Sequence, residues 1–167
     1  MILALALSWF VRTIGQDASH TFARSAMYSL NAWPASPEIA DAIADTVASE
    51  GALFDGRDGV PKTIALMTAI AYRESNFDNH AIGDSQRSVC FGQVLNGART
   101  LLDDAHACAR EVHRILKWSV WHSRKWPVAG YARGPNGPEM RRGRELSDDR
   151  MALAKWLLRA WKQNGGN

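Results

Sequence analysis

Cysteine is scarce in this chain, with two residues, Cys90 and Cys108, among 167. Two are too few for the disulfide framework of a small secreted scaffold. No Cys-x-x-Cys pair and no Cys/His cluster at zinc spacing occurs, so a structural metal is not expected. Long apolar runs are also missing. Met1–Leu7 is apolar but falls far short of the roughly 20 residues that cross a bilayer. No basic segment precedes it, so it reads as a packed first helix rather than a signal peptide or a membrane span. Alternating runs rich in Val, Ile and Thr are nearly absent, which argues against an all-β fold. Neither sign of charge dominates: 20 Lys and Arg face 17 Asp and Glu, a net +3. That is a modest bias toward anionic partners such as nucleic acid, acidic lipid or cell-wall polymer, and it does not choose among them. With 46% hydrophobic and 22% charged residues, the composition is that of one folded globular domain, residues 1–167.

Apolar spacing of three and four runs through most of the chain and predicts a mainly helical, all-α domain. Ser36-Pro37-Glu38 has the form of an N-cap followed by proline in the first turn, after which Ile39, Ile43 and Val47 recur every four residues. A Gly/Asp-rich loop, Gly51 to Val60, leads through Pro61 to a second amphipathic helix marked by Ile64, Met67, Ile70 and Ala71, with its end near Ser75 to Phe77. The pattern then breaks. Residues 78–95 are polar and irregular, with a very small β element or a turn near residues 88–95. Leu101, Leu102, Ala105, Cys108, Val112, Ile115 and Leu116 restore helical spacing between Asn96 and Trp118. A Trp-rich connection follows (Trp118, Trp121, Trp126), then Pro127 to Tyr131 and the loop Gly134-Pro135-Asn136-Gly137-Pro138. Ser147 is expected to cap a last helix carrying Met151, Ala154, Leu157, Leu158 and Trp161, released by Gly165-Gly166.

Glu74 is the residue with the most chemistry in its position. It falls at the C-terminal end of an apolar helix, just before the least regular stretch. Apolar neighbours and the negative end of the helix dipole both disfavour its ionised form, which suits a general acid. The competing reading is a solvent-facing glutamate paired with Arg73 or a later arginine.

Glu74-Ser75-Asn76-Phe77, then Ser88-Val89-Cys90-Phe91-Gly92-Gln93, and later Tyr131-Ala132-Arg133-Gly134 resemble, in that order, the motif series of the soluble lytic transglycosylase and goose-type lysozyme superfamily. The resemblance spans about residues 60–160 and implies a lysozyme-like fold. It also implies that Glu74 cleaves the β-1,4 bond between N-acetylmuramic acid and N-acetylglucosamine in peptidoglycan, first as acid and then as base. In the transglycosylase version the substrate's acetamido group assists departure, and the sugar's own C6 hydroxyl closes a 1,6-anhydro ring. One protein carboxylate suffices, unlike the pair used by most glycosidases. By the same resemblance Tyr131 sits near Glu74, and Ser75, Ser88 and Gln93 position saccharide. Asp84 is the candidate second carboxylate of a hydrolytic, muramidase-type reaction, with Asp78 the weaker one; Asp84 beside Gly83 also reads as a turn-stabilising residue.

The chain departs from the family pattern in places. Cys90 stands where many members carry glycine two residues after the serine, no proline follows Gln93, and Ala132-Arg133 replaces Asn-Ala. Cys90 and Cys108 admit two states, a disulfide or a pair of buried thiols, and the sequence leaves both open. His106 and His113 with Cys108 do not make a metal site by spacing. Trp118, Trp121 and Trp126 are candidates for sugar stacking or for the core. Arg141, Arg142 and Arg144 form a basic run that either touches anionic polymer or is solvated. The expected partners are peptidoglycan glycan strands, met by a monomer in the periplasm or cell wall, with no cofactor. A non-catalytic basic module for cell wall or nucleic acid is the alternative from another class.

Overall fold

The computed structural model describes residues 17–30 and 37–164. The expectations placed on Met1–Leu7, Ser36 and Gly165-Gly166 lie outside the described residues. Helix α1 (17–29) was not marked by the apolar spacing, yet it buries Phe22, Ala23, Ala26 and Met27. Helix α2 (Pro37–Glu50) follows the four-residue repeat: Ile39, Ile43 and Val47 are all buried. Each contributes about 1.5–3 kcal/mol relative to an exposed position. Helix α3 (Gly59–Ser75) has Pro61 in its first turn, where the missing N–H costs nothing. Residues 63–71 of α3 are buried all round, so this is the central helix of the core.

The irregular stretch contains a small antiparallel sheet of three two-residue strands, β1 (Ile82–Gly83), β2 (Ser88–Val89) and β3 (Val94–Leu95), in the order β1-β2-β3. Ile82 faces Val89, and Val89 faces Val94. The tight links between strands explain why periodicity gave no clear signal. Asp84, Ser85 and Gln86 in the first link, and Cys90 and Gln93 in the second, all lie in the left-handed region, where the chain reverses in a few residues.

The helix expected to run from Asn96 is broken. Arg99–Leu102 is a 3-10 turn, and α4 begins at Ala105 and continues to His122. Asp104 supplies the break, its carboxylate accepting the Ala107 N–H at 2.9 Å as an N-cap. Trp118 and Trp121 therefore belong to α4 rather than to a connection. A short helix, α5 (Ala129–Arg133), carries Tyr131. The last helix, α6 (Arg141–Gln163), starts six residues before Ser147. Ser147 is mid-helix and buried, and its hydroxyl accepts the Val128 N–H at 3.1 Å. It ties α6 to the entry of α5 instead of capping a helix. The most extensive packing is of α3 on α6 and of α2 on α4, so the C-terminal end of α3 lies against α6. Among the described residues no helix is long and apolar enough to cross a membrane.

Candidate active site

The site begins where α3 ends. Asn76 closes the helix in the left-handed conformation, with φ 55°, and its N–H bonds the Tyr72 carbonyl at 2.9 Å. Phe77 follows at φ 63° and is buried, with its ring 5.9 Å from that of Tyr72. A left-handed conformation is costly for a bulky residue, of the order of 1–3 kcal/mol. Burying the ring offsets it and turns the chain sharply away from α3. Glu74 is left on the last turn with its side chain 21% exposed.

Glu74 borders a cleft of about 900 Å³ that is also lined by Asp84, Gln93, Trp118 and Tyr131. Three sequence segments separated by up to 57 positions, at residues 74, 93 and 131, thus meet around one hollow. Gln93 is held by a bond from its Nε2 to the Cys90 carbonyl at 3.2 Å and by its packing over Gly83. A Cβ at Gly83 would lie 2.0 Å from Gln93 Oε1, so no side chain fits there. The Tyr131 hydroxyl donates to the Gly92 carbonyl, which fastens α5 to the β2–β3 turn. Burial pushes the Tyr131 phenol well above its ordinary range; the negative charge of Glu74 adds to this and Arg150 opposes it. Tyr131 is therefore a neutral donor near the glutamate.

The surroundings of Glu74 differ from the apolar pocket expected. Arg150 of α6, itself 8% exposed, donates from Nε at 3.2 Å and from Nη2 at 2.8 Å to Glu74 Oε1. Its Nη1 reaches Asp149 Oδ2 at 3.2 Å, and Asp149 Oδ1 accepts from Arg73 at 2.9 Å. The pairing with a later arginine therefore occurs, but inside a cleft wall rather than on an open surface. Arg73 takes Asp149 instead.

Arg150 is the site residue that sequence reasoning missed, although a signal was present. The buried positions of α6 are Gly143, Ser147, Arg150, Ala154 and Leu157, a regular inward stripe with one charge in it. A charge in a buried register needs a partner of opposite sign.

The remaining candidates separate. Ser75 does not line the cleft: its hydroxyl donates to the Ala71 carbonyl at 3.1 Å and accepts the Asp78 N–H at 3.1 Å, so it terminates α3. Ser88 is fully buried and donates to Asp84 Oδ2 at 2.7 Å. Ser88 is not in the cleft lining and is linked to it through Asp84. Asp84 both lines the cleft and stabilises the turn, its carbonyl accepting the Arg87 N–H. Asp78 accepts the His80 N–H at 2.8 Å and lies outside the lining.

Cys90 and Cys108 form a disulfide with Cα atoms 6.2 Å apart, tying the β2–β3 turn to α4. His106 pairs with Asp45 at 3.2 Å, and His113 Nε2 donates to the Gly51 carbonyl at 2.9 Å. Among the described residues no group of three or more His, Cys, Asp or Glu is arranged to hold a metal ion. Trp118 lines the cleft and stacks on His122, Trp121 is 77% exposed, and Trp126 lies under Lys125 and Arg144. Arg142 lines the cleft, while Arg141 pairs with Glu145 and Arg144 bonds the Glu139 carbonyl. Comparison with family models, with curated proteins and with solved structures finds no match to this chain.

Proposed function

We propose that this protein is a lysozyme-like peptidoglycan lytic transglycosylase, with Glu74 as general acid and base. The observation that supports this most is the meeting of Glu74, Gln93 and Tyr131 around one hollow, although the three come from separate segments. A half-buried carboxyl beside such a hollow is suited to proton transfer to a bound ligand.

The geometry around Glu74 is compatible with both halves of the reaction. Oε1 accepts two N–H groups from Arg150, a bond pattern open to a carboxylate oxygen and to the carbonyl oxygen of a carboxylic acid alike. Oε2 is the oxygen that does not face Arg150, so it is the atom we assign to give and take the proton. In the first step that proton passes to the bridging oxygen as the bond from the muramyl C1 to that oxygen breaks, and the substrate's acetamido oxygen bonds to C1. In the second step the C6 hydroxyl attacks C1, displaces the acetamido oxygen and returns its proton to Glu74. No water enters, and the carboxyl ends as it began. Arg150 fixes the orientation of the carboxyl, and the neutral Tyr131 holds the β2–β3 turn against α5.

A hydrolytic reaction is the second reading, favoured by Asp84 on the same lining. There Asp84 would activate a water on the opposite face of the sugar. Digestion of purified sacculi with mass analysis of the fragments separates the two. Anhydromuropeptides, one water lighter than reducing-end fragments, are expected; reducing ends would favour hydrolysis, and no soluble fragments from folded protein would reject both.

A further inference from the structure

We infer that the cleft selects glycan strands that carry free carboxylates and discriminates against the same strands once those carboxylates are neutralised. The inference rests on the glycan-cleaving reading for the identity of the polymer, but its own basis is the charge of the lining. Arg87, Arg114, Arg133, Arg142 and Arg150 all border the cleft, against two carboxylates, Glu74 and Asp84. Counted with Glu111 and Glu145, which pair with Arg114 and Arg142, five positive charges face four negative ones, and Arg87 and Arg133 are the lining arginines without a carboxylate partner among the described residues.

Two of the five guanidiniums are neutralised by close ion pairs, Arg150 by Glu74 at 2.8 Å and Arg114 by Glu111 at 2.6 Å. Arg142 has a looser contact, 3.6 Å from Glu145. Arg87 bonds backbone carbonyl oxygen rather than a carboxylate, and Arg133, also exposed, has no ion pair among the described residues. These three come from the β1–β2 turn, the end of α5 and the start of α6, so three separate segments bring charge to the hollow. Arginine holds carboxylates through paired N–H groups.

The carboxylates in the lining favour a glycan over a nucleic acid. Glu74 and Asp84 would oppose a continuous phosphate backbone, whereas a muramyl strand offers carboxylates at intervals, from stem peptides or lactyl groups. Between them lie amides and hydroxyls that suit Gln93 and the face of Trp118.

The test is a binding assay, which does not need turnover. Glu74→Gln protein is titrated onto intact sacculi and onto sacculi whose carboxylates have been converted to neutral amides with carbodiimide and an amine. Affinity for the native material is expected to be at least tenfold higher at low salt, and the difference should shrink as salt is raised. Adding Arg87→Gln and Arg133→Gln should shrink the difference at least threefold. Adding Arg57→Gln and Arg159→Gln, which remove the same charge from exposed positions outside the cleft, should leave it. Equal affinity for the two materials, no binding to either, or displacement of native sacculi by a single-stranded oligonucleotide at lower concentration than by soluble muropeptides would overturn the inference. Preference for native sacculi without any cleavage by the wild-type chain would leave this selectivity standing and remove the enzymatic reading instead.

Discussion

Arg150 and Glu74 constrain each other more than either constrains its own helix. Both are largely withdrawn from water, with side chains 10% and 21% exposed, so removing one leaves the other poorly solvated. Arg150→Met is expected to lower stability by about 2 kcal/mol, below the 3–5 kcal/mol typical of fully buried pairs because water still reaches the carboxyl. Glu74→Gln should cost less, since the amide oxygen can still accept from Arg150. Urea unfolding of the two single variants and the double variant should give a coupling of roughly 1 kcal/mol; strictly additive losses would mean that the two side chains do not support each other. His113 makes a separate prediction. Burial, aided by the charge of Lys117, lowers its pKa from the ordinary 6.5, and the bond to the Gly51 carbonyl opposes the shift. The unfolded chain therefore takes up this proton before the folded one does. The stability tied to neutral His113 is complete above about pH 6.5 and is lost as pH falls from there through the native value. Thermal melts from pH 7.5 to 5 should show a decline that His113→Gln reduces; an identical decline in the variant would refute this assignment.

At the scale of elements, the β2–β3 turn is held from two sides, by the Cys90–Cys108 bond and by the Tyr131 contact to Gly92. Closing a loop of 18 residues removes about 3 kcal/mol of chain entropy from the unfolded state. Reduction should therefore lower the melting temperature by roughly 6–12 °C for a chain of this size, and unchanged melting in strong reductant would show that the bond is not needed. Gly92 is tighter still, because an added Cβ would lie 2.2 Å from Val112 and 3.0 Å from the Tyr131 hydroxyl. Gly92→Ala should displace Tyr131 from its carbonyl partner, visible as increased solvent exposure of the phenol by ultraviolet titration, and should reduce sacculus binding. The helices were legible in the sequence because α2 and α4 bury regularly spaced residues and α3 is a long apolar run of helical length. The missed features are those without a period. Asp104 ends one element through a single side-chain bond, and α1 carries few large apolar residues. The turns after β1 and β2 depend on left-handed backbone at residues other than glycine. Cys90 is instructive: it stands where the resembling family often has glycine, and it adopts φ 62°, a conformation that glycine would take freely. Glu74 stood out because it closes an apolar helix just before the least regular stretch of sequence, whereas its partner lies 76 residues away and could not be paired by local spacing.

For the whole molecule, the packing of α3 on α6 and of α4 against the β2–β3 turn brings the Glu74 carboxyl to the edge of an arginine-lined hollow. The proposed reaction has Glu74 move a proton to and from a bound glycan. Its most direct test is the release of soluble fragments from purified sacculi by the wild-type chain and by Glu74→Gln, side by side at low salt in buffer without reductant, with both proteins shown to be folded. The wild-type chain is expected to release fragments steadily and the variant at least a hundredfold more slowly. Equal rates from the two proteins would contradict the account.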